Sequence, residues 1–148
     1  MSSIFDSQAF NANLFFPRGD TGATPGNSDE IQVQVGPETF IHVRRHPSPK
    51  ARFSLLFFHG NGEIVSDYDN FAEIFNSMGA ELIIADFRGY GRSTGSPTLR
   101  AALEDAHKIY DQLKSNSKLK EKVCIMGRSL GSAPTLELCA KRSDVAGC

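Results

Sequence analysis

Hydrophobic and polar residues change their spacing several times along this chain. Ile31, Val33 and Val35 alternate with Gln32 and Gln34, a period of two that predicts a half-buried strand. After the Gly36-Pro37 turn, Phe40 to Arg45 reads as its hairpin partner. From Phe53 to Phe58 the sequence is almost continuously apolar, and Glu81–Ala85 and Lys122–Met126 repeat that pattern. Short unbroken runs of this kind mark strands covered on both faces. Between them the spacing lengthens to that of helices. Val65, Tyr68, Phe71, Ala72, Phe75 and Met78 share one face, with Gly79 as the stop. Leu99, Ala102, Leu103, Ala106, Ile109, Tyr110 and Leu113 share another, behind Thr98 as an N-cap. A third helix over about residues 132–142 turns Ala133, Leu136, Cys139 and Ala140 inward, with Pro134 tolerated in its first turn. Strand and helix alternate three times with short connections. The pattern predicts an α/β domain: a β-hairpin, then a largely parallel sheet with helices on both faces.

The first thirty residues lack this periodicity, and the stretch from Pro17 to Ser28 has the Gly, Pro and polar punctuation of a surface loop. Residues 1–30 therefore read as a loop-rich segment and 31–148 as the domain. Composition narrows the function classes. Sixteen basic against seventeen acidic residues give a net charge of −1, which leaves no basic surface for a phosphate backbone and argues against nucleic acid as a partner. The longest wholly apolar runs, such as Leu55-Leu56-Phe57-Phe58, are far too short for an integral membrane span. The first sixteen residues contain no Lys or Arg and no long apolar stretch, so no secretory signal is visible. Cys124, Cys139 and Cys148 form no CxxC pair and read as reduced thiols in a cytoplasmic protein, the first two buried.

Chemistry enters at the ends of the apolar strands. Gly127-Arg128-Ser129-Leu130-Gly131 fits G-x-S-x-G and sits between a strand and a helix, the context a nucleophile elbow requires. Such a turn holds the serine in strained backbone, and the helix N-terminus behind it favours an oxyanion on an attacked carbonyl. His59-Gly60-Asn61-Gly62 ends the first apolar strand. Its glycines let the main chain approach a substrate, which makes Asn61 N–H one candidate oxyanion donor and Leu130 N–H the other. His59, beside that loop, reads as a brace rather than as the general base. Asp86 and Arg88, at the next strand end, read as loop-bracing or substrate-proximal. His42, His46 and His107 read as non-catalytic, and no spacing suggests a metal site.

Three segments in this order resemble the α/β-hydrolase superfamily: the strand into His59-Gly60-Asn61-Gly62, Asp86-Phe87-Arg88-Gly89-Tyr90-Gly91-Arg92-Ser93, and Gly127-Arg128-Ser129-Leu130-Gly131-Ser132. The wording is nearest the serine-aminopeptidase-like, monoglyceride-lipase-like and depalmitoylating branch. The resemblance covers about residues 31–148. It implies an eight-stranded sheet, a Ser–acid–His triad and cofactor-free hydrolysis of a carboxylic ester, thioester or amide in a small-molecule or acylated substrate. Ser129, Asn61 and Leu130 are the catalytic positions that carry over.

The triad of this fold runs Ser, acid, His. The nineteen residues after Ser129 include Glu137 and Asp144, neither in the family's place for the acid, and no histidine. Val145 to Cys148 reads as the start of a further strand. The chain thus reads as the N-terminal half of such an enzyme, truncated after the elbow helix, with one sheet edge open to association. Two other readings compete. One is an inactive hydrolase half serving as a binding module or a fragment without a role. The other takes Gly89-Tyr90-Gly91-Arg92-Ser93-Thr94-Gly95 as a dinucleotide loop, although it misses the G-x-G-x-x-G spacing and follows the wrong strand.

Overall fold

The structure is a computed structural model that describes residues 3–148. Its sheet has five strands, β1 (Asp29–Gly36), β2 (Thr39–Arg45), β3 (Phe53–Phe58), β4 (Ala80–Ala85) and β5 (Val123–Gly127), in the spatial order β1-β2-β4-β3-β5. The hairpin β1–β2 is antiparallel and joins the sheet antiparallel to β4, while β4, β3 and β5 run parallel. The predicted class is therefore correct, with the parallel part confined to the three apolar runs.

Alternation along those runs serves two cores. Leu56 and Phe58 point with Ile83 and Ala85 to one side, where α3 (Leu99–Ser115) lays Ala102, Ala106, Ile109, Tyr110 and Leu113 against them. Leu55, Phe57, Leu82 and Ile84 point the other way and pack with Val65 and Ala72, so helices cover both faces. Thr98 caps α3 as its sequence position implies, its side chain accepting from Ala101 N–H at 3.0 Å.

Several local expectations need correction. The chain from Val65 to Phe71 is a 3-10 helix, and only Ala72–Ser77 (α2) is α-helical. Three residues per turn in place of 3.6 rotates the apolar face, which leaves Phe71 and Met78 exposed. In α4 (Ser132–Lys141), Leu138 is the leucine that is buried, and Leu136 is 66% exposed. The inner face of α4 is set by its close approach to the turn before it: Thr135 Oγ1 donates to Gly131 O at 2.9 Å. Cysteine pairing also differs from the sequence reading. Cys139 and Cys148 are joined as a disulfide, and Cys124 is the free thiol, half-buried like Cys139. Within the N-terminal segment a helix, α1 (Gln8–Leu14), is capped by Ser7 and delivers Phe15 to the core. Outside β5, Ala146 N–H donates to Val123 O at 2.7 Å and Ile125 N–H donates to Gly147 O at 2.9 Å. The start of a further strand is thus in place, and the edge of β5 is partly covered. No helix among the described residues is long and apolar enough to cross a membrane.

Candidate active site

Strand register creates the site. Phe58, the last residue of β3, pairs with Ala85 at the end of β4 and with Gly127 at the end of β5. The residues that follow, His59, Asp86 and Arg128, leave the sheet side by side at its carboxyl edge, where parallel α/β sheets place their ligand sites.

Ser129 occupies the turn from β5 into α4. Its φ is +52°, a left-handed conformation that costs a serine about 1–3 kcal/mol. Both flanking glycines are required by contact. A Cβ at Gly127 would lie 2.2 Å from Gly131 O, and one at Gly131 would lie 2.0 Å from Phe58 O. The turn is closed by Ser132 Oγ donating to Ser129 O at 2.5 Å and Gly131 N–H donating to Arg128 O at 2.9 Å. Ser129 itself is exposed.

The facing loop, residues 59–62, is held through side chains. Asn61 Nδ2 donates to Leu14 O at 2.6 Å, while Asn61 Oδ1 accepts from Tyr90 Oη at 2.5 Å and Phe16 N–H at 3.0 Å. Arg18 Nε donates to Gly62 O at 2.8 Å. Among the described residues, neither Asn61 N–H nor Leu130 N–H donates to a main-chain carbonyl. The part played by Leu14, Phe16 and Arg18 carries no signal in the sequence, because each reaches the loop from far along the chain. Tyr90 lies within the Asp86–Ser93 motif, but its bond to Asn61 is seen only in the fold.

His59 is fully buried, its Nε2 facing Asp86 Oδ1 at 3.1 Å and its Nδ1 facing Gly60 O at 2.9 Å. Asp86 also faces His42 Nδ1 at 3.0 Å and accepts Val65 N–H at 3.0 Å, so one carboxylate joins β2, the 59–62 loop and the 3-10 helix. Arg88 forks onto Asp105 of α3 at 2.7 and 2.8 Å. The loop offered as a dinucleotide site is used differently: Gly91 presses on Asp86, where a Cβ would lie 2.1 Å from Oδ2, and its N–H donates to Arg18 O at 2.8 Å. Glu137 and Asp144 are engaged in ion pairs, with Lys141 and His107 and with Lys114 and Arg142 respectively. Hydrogen bonds from Lys114 and Arg142 hold the Asp144 carboxyl down at about 2. No group of three or more His, Cys, Asp or Glu side chains among the described residues is placed to hold a metal ion.

The buried cluster behind the site titrates in opposite senses. Burial lowers the His42 pKa, but hydrogen bonds to Asp86 and Glu30 outweigh it and raise the ring above its ordinary 6.5. Burial raises Asp86 and Glu30, and their bonds to His42 and, respectively, to His59 and Arg44 outweigh it, holding them below 3.8 and 4.5. The His42 contribution to stability is full below 6.5 and is lost as pH rises through the raised value. The carboxylate contributions are full above 3.8 and 4.5 and are lost as pH falls through the lowered values. All three are complete between about 4.5 and 6.5. Buried His46 acts in the opposite sense, since burial lowers its pKa and its contribution falls as pH drops below 6.5. The expected signature of His42 is therefore the fall in melting temperature on the alkaline side, which His42→Gln flattens; an unchanged alkaline limb in that variant would remove His42 as the cause.

Residues 49–148 match the family described as serine aminopeptidase, S33. The chain belongs to that family. The chain is 33% identical over 102 residues to the alpha/beta hydrolase domain-containing protein aho-3 of Caenorhabditis elegans, covering 68% of this chain and 30% of that protein. It is 33% identical over 99 residues to protein bem46 of Schizosaccharomyces pombe, covering 66% and 33%. Human alpha/beta hydrolase domain-containing protein 17B is 30% identical over 101 residues, with 67% and 35% covered. The match thus spans about a third of the length of these curated relatives. Among solved structures, a predicted CIB-like hydrolase from Thermoplasma acidophilum superposes with a TM-score of 0.60 at 27% identity, over 81% of this chain and 60% of that one. The Pyrococcus furiosus esterase Pf2001 shares the fold at a TM-score of 0.73 and 17% identity, over 90% and 56%.

Proposed function

We propose that this stretch of an S33-family hydrolase supplies the nucleophile and the oxyanion donors for hydrolysis of a carboxylic ester, thioester or amide. The observation that carries the reading is Ser129 at φ +52° on a turn that tolerates no side chain at either flanking glycine, opposite a loop whose Asn61 N–H is unspent. Ser129 Oγ attacks the acyl carbon and gives up its proton to a general base. The carbonyl oxygen takes the negative charge, between Asn61 N–H and Leu130 N–H. The bond to the leaving group then breaks, the leaving group takes the proton, and water hydrolyses the acyl-serine. His59 is fully buried with both ring nitrogens spent, on Asp86 and Gly60 O, and the histidines at 42, 46 and 107 face carboxylates as well, so the reading takes the base from outside this stretch. The substrate class is a small-molecule or acylated compound.

The test is labelling by a fluorophosphonate, at the full gene-encoded length, with the adduct mapped by peptide mass spectrometry. The expected adduct is on the peptide containing Ser129. An adduct elsewhere refutes Ser129 as nucleophile, and no adduct favours the competing reading of an inactive hydrolase half that binds without turning over.

A further inference from the structure

We propose that Glu63 is a positioning residue, a carboxylate bridge that sets the Asn61 loop against the Ser129 turn; the inference rests on the hydrolase reading above. Glu63 Oε2 accepts Gly60 N–H at 2.6 Å and Tyr68 Oη–H at 2.8 Å, and Glu63 Oε1 pairs with Arg128 Nη1. Gly60 immediately precedes Asn61, and Arg128 immediately precedes Ser129. One side chain is therefore bonded to the residue before the donor Asn61 and to the residue before the nucleophile Ser129.

The need for such a bridge follows from the sheet. The last rung joining the two loops is Arg128 N–H donating to Phe58 O at 3.0 Å. Beyond it, among the described residues, no ladder bond fixes Asn61 relative to Leu130. An oxyanion hole works only when both donors lie about 2.7–3.1 Å from the developing charge. A loop free to drift by a fraction of that distance would lose one of them. The bridge crosses directly over the loop: a Cβ on Gly60 would lie 2.7 Å from Glu63 Oε2 and 2.9 Å from Arg128 Nη1. Gly60 leaves room for the pair as well as for a substrate.

Stability is a poor explanation for the pair. The Arg128 side chain is 61% exposed, and an ion pair in that setting adds little to folding. What Glu63 gains is direction, with three donors from three elements converging on one carboxylate. Burial and the Glu63 contact both push the Tyr68 phenol up, so its hydroxyl stays a donor and fixes the carboxylate from below. On its other side the loop is held by Asn61 reaching Leu14 and Tyr90.

The decisive variants are Arg128→Ala, which removes only a surface arm, and Arg128→Lys, which keeps the charge. In the full gene-encoded protein, Arg128→Ala is expected to lower kcat for p-nitrophenyl acetate about tenfold, short of the roughly 10²–10³ lost with a whole donor. KM stays within about twofold and Tm is unchanged, because the ground state and the fold do not use the pair. Arg128→Lys recovers most of the loss. By hydrogen exchange, Arg128→Ala accelerates the peptide covering residues 59–64 as well as its own, 127–132. Wild-type exchange in 59–64, or wild-type labelling of Ser129 by a fluorophosphonate in Arg128→Ala, overturns the bridge. A fluorophosphonate adduct on another residue overturns the hydrolase reading instead, and the exchange result still decides whether Glu63 couples the two loops.

Discussion

Ser129→Ala, at the full gene-encoded length, is expected to lower ester hydrolysis by about 10⁴–10⁶ in kcat, the scale of losing a nucleophile in a serine hydrolase. The residue left behind after such a loss, about 10³–10⁴ over water, comes from the oxyanion donors and binding alone. Asn61 N–H and Leu130 N–H stay where they are in the variant, since the alanine side chain fits wherever serine does. Alanine pays the same left-handed strain, so folding should not change. The measurement is p-nitrophenyl acetate turnover beside a melting curve. Turnover within tenfold of the wild type, with the melting curve unchanged, would mean that another group carries the chemistry.

The second large effect is structural. Gly131→Ala places a Cβ 2.0 Å from Phe58 O and 2.6 Å from Phe58 C, both main-chain atoms of the central strand β3. A flexible side chain would move aside, but a strand paired on both edges cannot. Either the turn or β3 must shift, and overpacking of this kind costs about 3 kcal/mol or more. For a domain of this size about 2–4 °C of Tm goes with each kcal/mol, so a fall of about 6–12 °C is expected. Gly26→Ala is the control, because a Cβ there meets nothing within 4 Å and the backbone needs no positive φ. Equal melting temperatures for the two variants would show that the elbow relaxes freely and that its glycines are not there for close packing.

Ser129 and Gly131 both sit in a motif that is written locally in the chain, although what makes Gly131 necessary is Phe58 O across the sheet. The apolar runs at Phe53–Phe58, Glu81–Ala85 and Lys122–Met126, the Thr98 cap and the glycines around Ser129 all encode structure within a few residues, through side-chain periodicity, hydrogen-bonding caps and permitted backbone angles. Strand register then follows from chain connectivity, and the three strand ends deliver His59, Asp86 and Ser129 to one edge of the sheet. Periodicity was misleading where the helix type changed. It counts 3.6 residues per turn, and Val65–Phe71 winds at three, so Phe71 and Met78 moved outward.

What the tertiary structure alone decided are the partners of polar groups. Glu63 and Arg128 are 65 positions apart, and Asn61 meets Leu14 across 47. A carboxylate and a guanidinium at that separation carry no periodic signature, and either side chain is an ordinary surface residue until the loops converge. Cys139 and Cys148 likewise pair because α4 and the segment outside β5 lie side by side, not because of their spacing. Apolar burial is a property of a face and is legible from one strand or helix at a time. Hydrogen bonding needs two named atoms within about 3 Å and in line, and that condition exists only once every element has been placed.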